Sequence, residues 1–258
     1  MNKNRCILLI CLFCLNSAWG NSITDSAWSY YDRRAEGSIG LVADSSNINK
    51  AMELFKRSLE ANENDPVSAT GLLQCYYYKG RFVYTDEIQK RRCFTKGIEI
   101  GETQMAQNPK TASLRYWTAL LMGEEAKTKS KFTAAREGVA TKFRNLMREA
   151  LSLEPNYLNG MVHMYIARIN HIAPRIPFLM PWPSKETSEK YFETALKKNP
   201  EKIIIRHFWA AFLKDTKRKG EAIGILQKLV EVKPSKSSLL EDTFELTEAE
   251  KLLTKLQQ

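Results

Sequence analysis

The side chains of this 258-residue chain that could do chemistry are three histidines, two cysteines beyond the first twenty residues, and several arginines close to aromatic rings. His163 and His171 stand eight residues apart, which puts them near one face of a helix, and His207 follows. A zinc site draws three or four ligands from His, Cys and carboxylates. No carboxylate or cysteine falls beside these histidines at ligand spacing, so no metal is expected. A nucleophile elbow, a P-loop, a metalloprotease helix motif and a Cys-x-x-Cys pair are all missing from the sequence. The expectation is a protein without catalytic residues, metal or cofactor.

Cys75 and Cys93 fall on two consecutive expected helices, over roughly 66–79 and 86–107, joined by a turn near Lys79-Gly80-Arg81. An even pair in an oxidising compartment is a disulfide candidate. In an antiparallel hairpin centred near Phe82, Cys75 lies opposite about residue 89, which leaves Cys93 about one turn out of line. A bridge needs Cα atoms within about 7 Å. Two outcomes stay open: a disulfide, or two buried thiols packed as small hydrophobes.

Arginine and aromatic side chains are what a binding groove uses to grip a peptide or an acidic ligand. The first helices of successive hairpins supply Tyr77, Arg115, Tyr116, Trp117, Arg168 and Arg206 as groove candidates. Aromatics at helical spacing also build cores, and Tyr76, Trp117 and Trp209 match inward positions. A second candidate is the stretch Ala173–Pro183, where four prolines forbid a helix while Ile176, Phe178, Met180 and Trp182 supply apolar surface. It reads as a binding loop or as packing over a gap between hairpins.

The elements that position these residues follow from apolar spacing of three and four and from the prolines. Pro109, Pro155, Pro200 and Pro234 each close an apolar helical stretch, and the last two are 34 residues apart. Between them Trp209, Ala210, Leu213, Gly220, Ala222, Leu226 and Leu229 fall at the small and large positions of a tetratricopeptide (TPR) repeat. The expected fold is all-α, an α-solenoid of about five TPR-like hairpins with a C-terminal capping helix. The first hairpin is placed at Ser26–Glu36 with Asn47–Ala61 and the fifth at Pro200–Val232. Asp65-Pro66 and Ser184 read as helix starts. Gly97 and Gly101 mark close helix packing, since each glycine costs a helix about 1 kcal/mol relative to alanine. A third, longer hairpin runs from Pro109 to Pro155, its extra length around Ala126–Ala140. Thr247-x-x-Glu250 reads as a capping box opening the last helix.

Residues 1–20 have the form of a secretory signal: Lys3 and Arg5, an apolar run from Ile7 to Leu15, and Ala18-Trp19-Gly20 before a cut between Gly20 and Asn21. Residues 21–258 then form the helical-repeat domain. Ile10 and Phe13 precede Cys11 and Cys14, where a lipoprotein signal has a small residue, so a lipid anchor is not expected. No later apolar run reaches the roughly 20 residues of a membrane helix. The expected location is periplasmic or otherwise exported, in soluble form. The formal charge of +10 would attract anionic partners; export argues against nucleic acid, and scattered solvated lysines on helix backs are favoured over a dedicated anion site as the source of this balance.

With Tyr78–Phe82 (YKGRF), Arg115–Ala119 (RYWTA), Glu149–Tyr157 (EALSLEPNY) and Ile176–Pro181 (IPFLMP) in this order, the chain resembles the TatT-like T components of bacterial TRAP-type transporters from about residue 26 to 234. Eukaryotic regulators of microtubule dynamics look similar over the central repeats, and the secretory signal turns the expectation away from them. The TatT-like resemblance implies a periplasmic binding protein without catalysis. Its implied partner is a solute-binding protein, with a small hydrophobic ligand or a homo-oligomer as further implications. Members of that group are typically lipoproteins, a pattern this chain lacks. Carriage of a hydrophobic ligand and a general envelope adaptor role are the alternatives.

Overall fold

A computed structural model describes residues 23–130, 133–134, 137–175 and 180–258 of the chain. Gly20, Asn21, Ile176 and Phe178 lie outside the described residues. A first helix, α1, covers 23–32. It is followed by α2 (Ser46–Ala61), α3 (Pro66–Tyr78), α4 (Glu87–Gln107) and α5 (Ala112–Lys127). Further on come α6 (Val139–Leu153), α7 (Met161–Ile172), α8 (Lys185–Lys198), α9 (Ile203–Asp215), α10 (Lys219–Leu229) and α11 (Leu239–Gln257). The fold is all-α, with an isolated bridge between Ile39 and Val42. The helices form two compact units, one up to Thr128 and one from Lys129.

Local chemistry explains where the helices begin. Asp65 accepts hydrogen bonds from the amides of Val67 and Ser68, and Pro66 takes the first helical position, where its missing N–H costs nothing. Asp86 accepts from the Gln89 amide and Ser184 from that of Thr187. Ahead of α7 the chain turns through three left-handed residues, Leu158, Asn159 and Gly160. At Gly160 (φ +93°) an added Cβ would stand 2.9 Å from the Ala195 carbonyl oxygen. Glycine is thus required there by both its angle and the approach of α8.

In the first unit α3 packs on α2, α4 and α5, and α4 lies along α5. The close approach expected at two glycines is present. A Cβ on Gly97 would meet Leu121 Cδ1 at 2.9 Å, and one on Gly101 would meet Thr118 Oγ1 at 2.1 Å. The Thr24 hydroxyl joins those of Ser58 (2.9 Å) and Ser68 (2.8 Å), tying α1, α2 and α3 together. Tyr78 donates from its hydroxyl to the Arg34 carbonyl, and the Ala43 amide donates to the Phe82 carbonyl. In the second unit α7 packs on α6 and α8, and α9 on α10 and α11. Its core includes Met164, Phe192, Ile205, Phe212 and Leu226, all within 1% of complete burial. Burying one such side chain contributes about 1.5–3 kcal/mol.

Three expectations need correction. The last helix opens at Leu239, after a 3₁₀ turn at Lys236–Ser238, and not near Thr247. Thr247 is mid-helix, its hydroxyl donating to the Thr243 carbonyl. Leu240, Ala249, Leu253 and Leu256 are buried at helical spacing, so the apolar stripe carries the helix back past the apparent capping box. The first helix stops at 32, short of Glu36, because the Arg33 and Arg34 amides bond three residues back to Tyr30 and Tyr31. The hairpin expected from Pro109 to Pro155 is divided: α5 belongs to the first unit and α6 to the second. The turn expected near Lys79-Gly80-Arg81 is present as a π-helical turn, Lys79–Val83.

Candidate functional site

Two constellations of charged and aromatic side chains occur on the first helices of the hairpins, one in each unit. In the first unit Arg81, on the π turn, donates from Nη1 to the Tyr77 hydroxyl at 2.7 Å. Its guanidinium also lies over the rings of Tyr77 and Phe82, 5.4 and 5.1 Å from their centroids. Glu124 Oε1 is 3.9 Å from Arg81 Nε and accepts from Lys127 Nζ at 2.7 Å. Burial pushes the Glu124 carboxyl up, but Arg81, Lys127 and Lys90 more than reverse this and hold it below the ordinary value. Trp117 packs edge-on against Tyr77 (5.4 Å) and Tyr116 (5.2 Å), and its buried Nε1–H has no hydrogen-bond partner among the described residues.

The expected run Arg115-Tyr116-Trp117 does not act as one surface. Successive helical residues point about 100° apart, so Tyr116 is buried at 2% exposure while Trp117 is half-buried. Arg115 donates back to the Thr111 carbonyl of its own first turn. Arg81, not a sequence candidate, is the residue that joins Tyr77 to Glu124. Its signal was the four-residue spacing from Tyr77, which places the two on one helical face.

In the second unit Arg168 (α7) rests on Phe208 (α9), its guanidinium 4.6 Å from the ring centroid. Its Nη1 is 3.2 Å from His171 Nδ1, and His171 Nε2 is 2.9 Å from Asp215 Oδ2. A guanidinium can only donate, so Nδ1 accepts from Arg168 and Nε2 carries the hydrogen donated to Asp215. Burial, then Arg168, lowers the His171 pKa below 6.5, while Asp215 pulls the other way. Burial also lowers Arg168, against the pull of Glu245 and Asp215. Next to Phe208 in sequence, His207 has its Nδ1 2.7 Å from Glu245 Oε2 of α11. Phe208, His207, Asp215 and Glu245 were missed from the sequence.

Arg206, the other arginine candidate on α9, lies 3.7 Å from Glu201 and two residues from Phe208, hence on a different face. The two described members of the proline-rich loop are engaged in packing. Met180 is buried, and Trp182 donates to Thr141 Oγ1 at 3.3 Å beneath the guanidinium of Arg144, 4.7 Å from its ring. Cys75 and Cys93 are free, buried thiols. Burial drives the Cys75 pKa well above its ordinary value and that of Cys93 up to about 11. Cys93 Sγ lies 3.5 Å from the Tyr76 carbonyl. Among the described residues no group of three His, Cys, Asp or Glu could hold a metal ion, and no helix is long and apolar enough to cross a membrane.

An all-α protein of TPR-like hairpins, carrying arginine and aromatic side chains on their first helices, is the class these observations define. Residues 39–257 match the family described as regulator of microtubule dynamics protein 1-3, and the chain belongs to that family. The match reaches well beyond the central repeats. No curated protein sequence matches the chain. Among solved structures the TPR protein TTC0263 of Thermus thermophilus is similar at a TM-score of 0.57 and 17% identity, over 79% of this chain and 90% of that one. MamA aligns at a TM-score of 0.43 and 12% identity, over 82% of this chain and 93% of that one. The human IFIT1 dimer with PPP-AAAA aligns at 0.42 and 16% identity, over 83% and 57%. The likeness to TTC0263 shows the fold alone.

Proposed function

We propose that this chain is a non-catalytic protein-binding scaffold, and that the second unit grips an acidic, extended segment of its partner at Arg168. The observation that carries this is the state of that guanidinium. It is seated on Phe208 and has one hydrogen-bond acceptor among the described residues, His171 Nδ1. A guanidinium has five donors, so donors beyond the one facing His171 remain for a partner carboxylate, which a guanidinium can bind in bidentate fashion in competition with the nearby charges of Glu245 and Asp215. Catalysis by the nearby His171–Asp215 pair is disfavoured by the same contact, because the only imidazole lone pair is occupied by Arg168 and a general base needs it.

The partner we assign is an exported protein. The secretion-like first twenty residues and the order of the four motifs support a periplasmic TatT-like role beside the solute-binding protein of a TRAP-type transporter. The family's description offers the competing reading, a partner connected with microtubule dynamics. Crosslinked affinity capture of the tagged protein from its native source, followed by mass spectrometry, separates the two. Recovery of a solute-binding protein supports the TatT-like reading, and recovery of cytoskeletal proteins overturns it. Arg168→Ala should lose the captured partner while far-UV circular dichroism stays unchanged, and Arg168→Lys should restore it only in part. Undiminished capture by Arg168→Ala would remove that residue from the interface.

A further inference from the structure

A depression of about 320 Å³ opens in the first unit between α2, the end of α3 and the start of α4. Lys79, Arg92 and Lys96 contribute three positive charges to its lining, and no carboxylate lines it. Tyr76 and Tyr84 supply aromatic surface, and Cys93 is also part of the lining. A neighbouring depression shares Lys79 but is lined by Glu53 and Glu60 as well as by cations, so the unbalanced positive charge is particular to the first.

The pairing of these cations is uneven. Lys90 bonds Glu87 at 2.7 Å, and Lys96 bonds Glu99 at 3.0 Å, both on the surface of α4. Arg92, between them in sequence, is exposed and has no hydrogen-bond or ion-pair partner among the described residues. Lys79 donates to Asn49 Oδ1 at 2.6 Å and lies 5.4 Å from the centroid of the Tyr84 ring. That neutral amide positions the ammonium without cancelling its charge. Exposed surface pairs contribute little, so the Lys96–Glu99 contact is easily exchanged for a stronger acceptor. The volume is that of a small-molecule site.

We propose that this depression binds a small phosphate monoester, with its dianionic head held by Lys79, Arg92 and Lys96 and its body against the Tyr84 ring. A dianion with three acceptor oxygens suits a depression lined by three cationic side chains, and an arginine binds such a group through two parallel hydrogen bonds. A monocarboxylate offers half the charge and fewer acceptors. The site is in the first unit and is independent of the partner contact assigned to Arg168.

The test is isothermal titration calorimetry of the full chain at low salt with phenyl phosphate and with benzoate. Phenyl phosphate should bind roughly tenfold or more tightly than benzoate, on the scale of charge-assisted hydrogen bonds. The Arg92→Glu/Lys96→Glu variant should lower that affinity by at least about tenfold. A control with the same change of net charge, Lys228→Glu/Lys233→Glu, should leave it unchanged. Equal binding of the two probes, equal loss in both variants, or no measurable heat would each overturn the proposal.

Discussion

Substituting Gly101 by alanine tests how closely α4 and α5 approach. The new Cβ would stand 2.1 Å from Thr118 Oγ1 and 3.1 Å from both Thr118 Cβ and Cγ2. Rotating the threonine relieves the first contact but not the second, because Cβ is fixed to the α5 backbone. Thr118 is fully buried, so relief requires the helices to part. Overpacking of this kind costs about 1–3 kcal/mol, and the gain in helix propensity returns about 1 kcal/mol. The net expectation is a loss of up to about 2 kcal/mol. Thr118→Ala removes the Oγ1 and Cγ2 contacts while keeping that of Cβ at 3.1 Å, and it also removes a buried hydroxyl without a partner among the described residues, a group whose unsatisfied burial costs about 1–3 kcal/mol. The double variant should therefore exceed Gly101→Ala in stability by about 1–3 kcal/mol. Urea unfolding followed by far-UV circular dichroism, with unchanged slopes, measures all four species. If Gly101→Ala is more stable than the parent, or if the double variant is no more stable than Gly101→Ala, the account of this contact is wrong.

Three further outcomes are expected. His171 and His163 have pKa values lowered in the fold by burial, with Arg168 and Lys198 respectively as further causes. Their neutral forms thus favour the folded state: the contribution is complete above the ordinary value of 6.5 and is lost as pH falls from there through the lower folded values. Urea midpoints measured between neutral and mildly acidic pH should decline, and a non-titrating His171→Phe should flatten the slope; an unchanged slope would remove His171 from it. Cys75 and Cys93 should resist a thiol reagent at mildly alkaline pH in the native state and react fully in urea, read by peptide mapping; rapid native labelling would contradict their burial and raised pKa values. Asp65→Ala should cost about 0.5–2 kcal/mol through loss of a helix cap, whereas Thr247→Ala should change stability by less than about 0.5 kcal/mol, and a large Thr247 effect would reinstate a helix start there.

Features decided by neighbouring residues were legible in the sequence, and those decided by the rotation of one helix against another were not. Asp65-Pro66 and Ser184 announce helix starts because the acceptor and the amides it caps lie within three residues. Gly97 and Gly101 were readable because a glycine kept inside a helix implies something pressed against it. Thr247-x-x-Glu250 misled because the same residue types occur at a helix start and on a helix flank; only burial of Leu240 distinguishes the two. The pairings of Arg168 with Phe208, His171 with Asp215 and His207 with Glu245 join residues about forty positions apart, and the sequence supplies the residue types without the phase of each helix. For Met180 and Trp182 the sequence left binding and packing equally open, because an apolar loop serves either; one is buried and the other packs under Arg144.

The bonds from the Ala43 amide to the Phe82 carbonyl and from the Tyr78 hydroxyl to the Arg34 carbonyl bear on how the chain is made. Repeats of this kind can in principle form one at a time as they leave the ribosome. Here the loop that precedes α2 and the end of α1 are fastened by residues some forty positions later, so helices α1 and α2 cannot reach their final arrangement until Phe82 has emerged. The first pair is clasped by its successor, and a fragment ending at Ala61 should remain a loose precursor where one ending after the π turn can close.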